Sequence, residues 1–159
     1  AFGTGVTLAA RMGLIPLDGW LWLVWAVTGG WMTLAWFAFL KEHSALGLTI
    51  ARIDFSLRLI ILVLCVGAGI DAFSDGGLLP QVRWLGVKLL LFAAIISMGL
   101  LVRIQLKPFG PLFGKVASNT ASDGEQQALK QLVDRVKIPV LLIWTFIVLI
   151  AVFGKLKLI

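Results

Sequence analysis

Lys88, Asp54, Arg58 and His43 are the residues of this 159-residue sequence whose types and settings could do chemistry, and each stands within or at the edge of an apolar run. Ionisable groups in such runs are expensive, which makes each a functional candidate. Lys88 follows Trp84 by one helical turn, roughly 6 Å at 1.5 Å per residue. Two readings stay open for it. The stem can carry the ammonium back to the headgroups, or the ammonium faces other helices and holds a carboxylate, a porphyrin propionate or a coordinated cofactor. On the second reading Lys88 is the candidate catalytic residue. Asp54 and Arg58 are four apart, the spacing at which one helical turn brings two side chains together. Such a membrane-embedded charge pair is either structural or an anion or proton-relay site.

His43 is the sole histidine and stands in Lys41-Glu42-His43-Ser44. One imidazole without a soft ligand nearby makes no conventional metal centre, and no metal site is expected. His43 is therefore a solvated interfacial residue or an axial ligand to haem. In the latter case the second ligand would come from Lys88, Met12, Met32 or Met98, and Lys88 is expected at the opposite end of the helices. Cys65, the single cysteine, lies in an unbroken apolar run where a thiol behaves as a small hydrophobe. Trp20 and Trp22 fit an outer aromatic belt and Trp36 an inner one. Trp25 and Trp31 lie deeper, against neighbouring helices or, for Trp25, against a flat cofactor. Nucleophile–His–acid sets, phosphate-cradling Gly loops and paired cysteines are absent.

The elements that must position these residues follow from composition. Hydrophobic residues make up 60% of the chain and charged ones 14%, with a mean hydropathy of +1.00. A freely soluble enzyme, a disordered chain and a disulfide-stapled domain are all excluded. The net charge of +6 fits cations flanking membrane segments, so no nucleic-acid partner is expected. The first 17 residues carry one cation, Arg11, and no removable secretory signal is expected.

Four windows are long and apolar enough to cross a hydrocarbon core of about 30 Å: residues 19–40, 53–70, 84–102 and 138–153. Backbone groups in lipid must be satisfied within their own segment, so all four are read as helices. The fold class is all-α, one transmembrane domain over residues 1–159 built as a four-helix bundle. Before the last span, residues 125–137 place Leu129, Leu132, Val133 and Val136 on one face, which predicts a short amphipathic cytoplasmic helix. It is a lipid-skimming connector or a docking surface. The first 18 residues read as an interfacial helix or lead-in ended by Pro16. Ala26 with Gly30, and Ala93 with Ser97, are spaced for close helix contact.

The two segments joining spans one to two and three to four hold Lys41, Arg52, Arg58, Arg103, Lys107, Lys115, Lys130, Arg135 and Lys137. The other side holds Arg11, Arg83, Lys88, Lys155 and Lys157, with an acidic turn at Asp71 and Asp75. This asymmetry puts the long loops in the cytoplasm and both termini outside.

Residues Arg52-Ile53-Asp54-Phe55-Ser56, Gly67-Ala68-Gly69 and Trp84-Leu85-Gly86-Val87-Lys88-Leu89-Leu90-Leu91-Phe92 carry a resemblance. Over about residues 50–105 the chain resembles the superfamily of small bacterial membrane proteins that includes copper resistance protein D and the haem-dependent J-type protoporphyrinogen oxidase, which implies a bacterial inner membrane. In the oxidase branch, a first-helix histidine and a lysine corresponding to Lys88 are tied to haem and activity. Lys88 matches. The histidine does not, since residues 19–40 contain none and Val24 or Trp25 stands at that depth; without it iron loses its strong nitrogen donor. One histidine and three scattered methionines also make a poor copper path.

Three functions are therefore expected, the first ahead of the others. One is a non-catalytic membrane subunit or helper that binds another membrane protein, a second copy or a hydrophobic cofactor, in keeping with five tryptophans on the first span. The second is a haem-linked oxidoreductase acting on a tetrapyrrole, using Lys88 and His43. The third is a copper permease with Asp54, Arg58 and Lys88 along its path.

Overall fold

The computed structural model describes residues 2–13, 17–40, 45–74 and 83–156. Among them every regular element is helical: α1 (Phe2–Arg11), a 3₁₀ turn (Asp18–Trp20), α2 (Leu21–Leu40), α3 (Ala45–Asp71), α4 (Arg83–Gln105), α5 (Phe109–Ala117) and α6 (Asp123–Leu156). Three of these, α3, α4 and α6, are long and apolar enough to cross a bilayer, and α2 is a shorter apolar helix.

Several boundaries depart from the sequence expectation. α3 begins at Ala45, because residues 45–52 contain no proline and prolong the helix through Gly47. Asp54 consequently lies about 14 Å along the helix instead of in its first turn. The amphipathic stretch 125–137 and the last span form no separate elements; they are one helix of 34 residues with Pro139 inside it, about 51 Å long. Proline there removes one donor, for the carbonyl of Arg135, and Arg135 is exposed.

The start of α6 is fastened by a reciprocal cap. The Ser122 N–H donates to Glu125 Oε2 at 3.0 Å, and the Glu125 N–H donates to Ser122 Oγ at 3.4 Å, satisfying two of the orphan donors of the first turn. Just before it, α5 is a helix where the sequence predicts a loop. Its two glycines, Pro111 within it and Pro108 just before it hide any helical pattern, but Phe109 and Phe113 stack at 5.5 Å one turn apart. It ends in paired bonds from the Asn119 N–H to the Val116 carbonyl and from the Thr120 N–H to the Lys115 carbonyl. Asn119 takes the left-handed conformation (φ 54°) that this ending requires.

The first four helices pack in sequence order, α1 on α2, α2 on α3 and α3 on α4, whereas α4 packs on α6, which also carries α5. The buried apolar residues among those described are small or single, namely Ala9, Ala10, Cys65, Ala72, Ala93 and Leu100, while long stretches of Leu, Ile, Val and Trp face outward. That is a surface built for an apolar solvent. α3 and α4 are in close contact at Gly69 and Gly86: a Cβ on Gly86 would lie 2.9 Å from the Ala72 Cβ and 2.9 Å from the Gly69 carbonyl oxygen. α1 lies against α2, with Gly3 seated on Thr28 partway along α2. Ala93 is packed, and Ser97 returns its hydroxyl to the Ala93 carbonyl. The Ala26–Gly30 pair makes no such contact, for a Cβ on Gly30 would meet nothing within 4 Å.

Candidate functional site

The polar centre of the molecule is Asp54, only 4% exposed. α3 supplies it together with Arg58 one turn on, whose Nε donates to Asp54 Oδ2 at 3.0 Å. α4 contributes Arg103, the first cation after its apolar run; one terminal nitrogen donates to the same oxygen at 2.5 Å and the other to the Ala51 carbonyl at 3.3 Å. α2 brings Trp31, whose indole N–H donates to Asp54 Oδ1 at 2.9 Å. The Arg58 guanidinium carbon also stands 5.6 Å from the Trp31 ring centre, within cation–π range.

Three helices thus converge on one carboxylate. The expected Asp54–Arg58 pair forms, and Arg103 and Trp31 join it, two partners that the spacing of four does not reveal. A signal existed for Arg103: Asp54, Arg58 and Arg103 fall at the same end of their spans, and two cations facing one anion leave a partner to be found. Burial of a carboxylate is affordable only with such donors. With both oxygens engaged, Asp54 reads as a fastening between helices.

Lys88 lies at the opposite end, between α4 and α6. Its ammonium stands 4.9 Å from the Trp84 ring centre, and a Cβ on Gly154 would come within 2.7 Å of Nζ. The side chain reaches back over Trp84 and is at the same time pressed on α6. No carboxylate pairs with it among the described residues. Trp25 is on the side of α2 away from α3, so the structure does not bring it to Lys88. His43 lies outside the described residues. Cys65 is a buried free thiol.

A feature not anticipated from the sequence is how little of α2 is covered. Leu21, Val24, Thr28, Trp31 and Leu34 are partly covered, and the other positions whose burial is described are exposed, among them Trp22, Trp25, Gly29, Met32 and Trp36. These last five recur at i, i+3, i+7, i+10 and i+14, the register of a helix–helix seam. Their large members are 67%, 49%, 74% and 65% exposed, and a Cβ on Gly29 would meet nothing within 4 Å.

Haem and copper are the groups the resemblance implies, and the described residues do not fit either. The cavity beside Trp31 measures about 100 Å³ and is lined by Val27, Gly30, Trp31, Leu34, Leu57 and Ile61. Ligand pockets usually span about 300–1,000 Å³, and no lining side chain here offers iron a ligand. A larger groove of about 480 Å³ lies by α5 and α6, lined by residues that include Val116, Leu129, Lys130, Val133 and Lys137, again without imidazole or sulfur. No three His, Cys, Asp or Glu side chains converge among the described residues. Compared with family models, with curated proteins and with solved structures, the chain matches none.

Proposed function

We propose that this protein is a small polytopic membrane subunit or helper, non-catalytic, that packs against another membrane protein along the exposed seam of α2. The observation that carries the reading is that seam. Five residues at coiled-coil register stand open on one apolar helix, with Gly29 at the centre to let a partner backbone approach. The opposite stripe of the same helix is already spent on α3 through Trp31. Support also comes from the two embedded charges: Asp54 is engaged by three donors, and Lys88 is packed against Gly154 and Trp84.

On this reading α2, whose 20 residues rise about 30 Å, is the fourth span. Residues 50–105 keep the scaffold of the copper resistance D-like superfamily, and residues 19–40 lack the histidine of its oxidase branch. The cation-rich loops lie on the cytoplasmic side of a bacterial inner membrane. The first residues of α6 project from that surface, with Leu129 and Val133 lining a groove together with Val116 of α5.

Cysteine cross-linking in native membranes tests the reading, in a Cys65→Ala background. Met32→Cys on the open seam is expected to yield a heavier covalent adduct, and Val24→Cys on the covered stripe is not. An adduct of twice the chain's mass assigns a second copy as the partner. Absence of any adduct from Met32→Cys, Trp25→Cys and Trp36→Cys alike leaves lipid as the covering and overturns the proposal.

A further inference from the structure

The Asp54 cluster does not balance its own charge. One carboxylate faces two guanidiniums, leaving +1 in a segment where ionisable groups normally occur in matched sets. Arg58 spends only its Nε on Asp54, and its two terminal nitrogens have no partner among the described residues. Arg103 is anchored at both terminal nitrogens. Both guanidinium side chains remain 37% exposed while Asp54 beneath them is almost fully covered. The outward face of the cluster is therefore a paired set of N–H donors carrying a net positive charge, held rigid from below.

The depth of that face is set by α4. From Trp84 to Arg103 is about 29 Å at 1.5 Å per residue, the thickness of the hydrocarbon core. With Trp84 at one headgroup layer, Arg103 is at the other, and Arg58 lies beside it through their shared carboxylate. Arg52, exposed near the same end of α3, adds to the local potential without joining the cluster.

We infer that Arg58 and Arg103 hold a phosphate oxyanion at this headgroup level, supplied by an anionic phospholipid between α3 and α4. A planar fork of N–H donors matches a phosphate better than a point charge does, and basic sites between membrane helices take headgroups in this way. The inference goes beyond the α2 seam and does not depend on it, since it uses residues of α3 and α4 only.

Native mass spectrometry of the detergent-purified full chain tests this, with phosphatidylglycerol, phosphatidylcholine and inorganic phosphate as separate probes. One phosphatidylglycerol is expected to stay bound in preference to phosphatidylcholine. Arg58→Gln keeps the Arg103–Asp54 bond between helices and is expected to weaken that binding by about tenfold or more. Arg58→Lys, which keeps the charge and loses the fork, falls between, and Arg52→Gln, which removes only a nearby charge, weakens binding far less than Arg58→Gln. Equal retention of the two lipids, or equal loss in Arg58→Gln and Arg52→Gln, overturns the inference. Inorganic phosphate that binds by itself and displaces phosphatidylglycerol overturns the lipid as the source and assigns the same oxyanion site to a soluble phosphate.

Discussion

The two arginines on Asp54 are equally exposed, yet their contributions to holding the helices together should differ severalfold. Arg103 joins α4 to α3 through two bonds, to Asp54 and to the Ala51 carbonyl. Arg58 reaches Asp54 from one turn away on the same helix. When a helical membrane protein comes apart in detergent its helices persist, and an i,i+4 pair persists with them. Asp54→Ala leaves Arg103, Arg58 and Trp31 without their acceptor. Breaking a buried pair costs about 3–5 kcal/mol, and the one-third exposure of the guanidiniums reduces that to about 2–3 kcal/mol.

The cycle Asp54→Ala with Arg103→Ala should show a coupling of about 1.5–3 kcal/mol, as for a hydrogen bond between charged groups. The cycle with Arg58→Ala should show about 0.5 kcal/mol or less, the worth of a pair within one helix. Unfolding in mixed micelles with increasing dodecyl sulfate, followed by tryptophan fluorescence and circular dichroism, measures both. Equal couplings, or a larger one for Arg58, would refute the assignment of Arg103 as the bridge.

Glycine positions give a paired contrast. Gly86→Ala drives a Cβ against the Ala72 Cβ and the Gly69 carbonyl, neither of which can swing away, so a loss of about 1–3 kcal/mol is expected. Gly154→Ala meets only the flexible end of Lys88 and should cost less than about 1 kcal/mol; the same micelle titration ranks the two, and the reverse order is fatal to this packing. Acid should release α5 from α6. The Lys115 ammonium, with the Ser122 N–H, holds the Glu125 carboxyl below its ordinary value. Its stabilisation is therefore whole above the ordinary carboxylate range and is lost as pH falls through the lowered value. Hydrogen exchange of residues 109–120, corrected for intrinsic rates, should quicken in acid and at neutral pH in Glu125→Gln; unchanged protection in both would exclude the Lys115–Glu125 bridge as the tie.

The long helices were readable because unbroken apolar runs leave the backbone no other way to satisfy itself in lipid. The apolar windows that begin near Gly19 and Trp84 coincide with α2 and α4 to within a few residues. Boundaries failed where no chemical break marks them: residues 45–52 read as loop only because their charge looks interfacial, and Lys137 reads as the border between two helices although one helix runs through it. α5 was hidden because glycine and proline suppress the periodicity by which a helix is recognised.

The candidate site shows the same division. Asp54 and Arg58 were legible because their spacing is local. Arg103 and Trp31, 49 and 23 residues away from Asp54, needed the packing of three helices, which composition does not specify. The open seam of α2 was written in the register of Trp22, Trp25, Gly29, Met32 and Trp36. It became meaningful only once Trp31 identified the stripe already covered by α3.

The absorption spectrum of the full chain, purified alone in detergent, is the most direct measurement of whether this is a helper without redox chemistry of its own. The account predicts a colourless protein with no Soret band and a spectrum unchanged in Lys88→Ala. A Soret band in the purified chain that disappears in Lys88→Ala would contradict it.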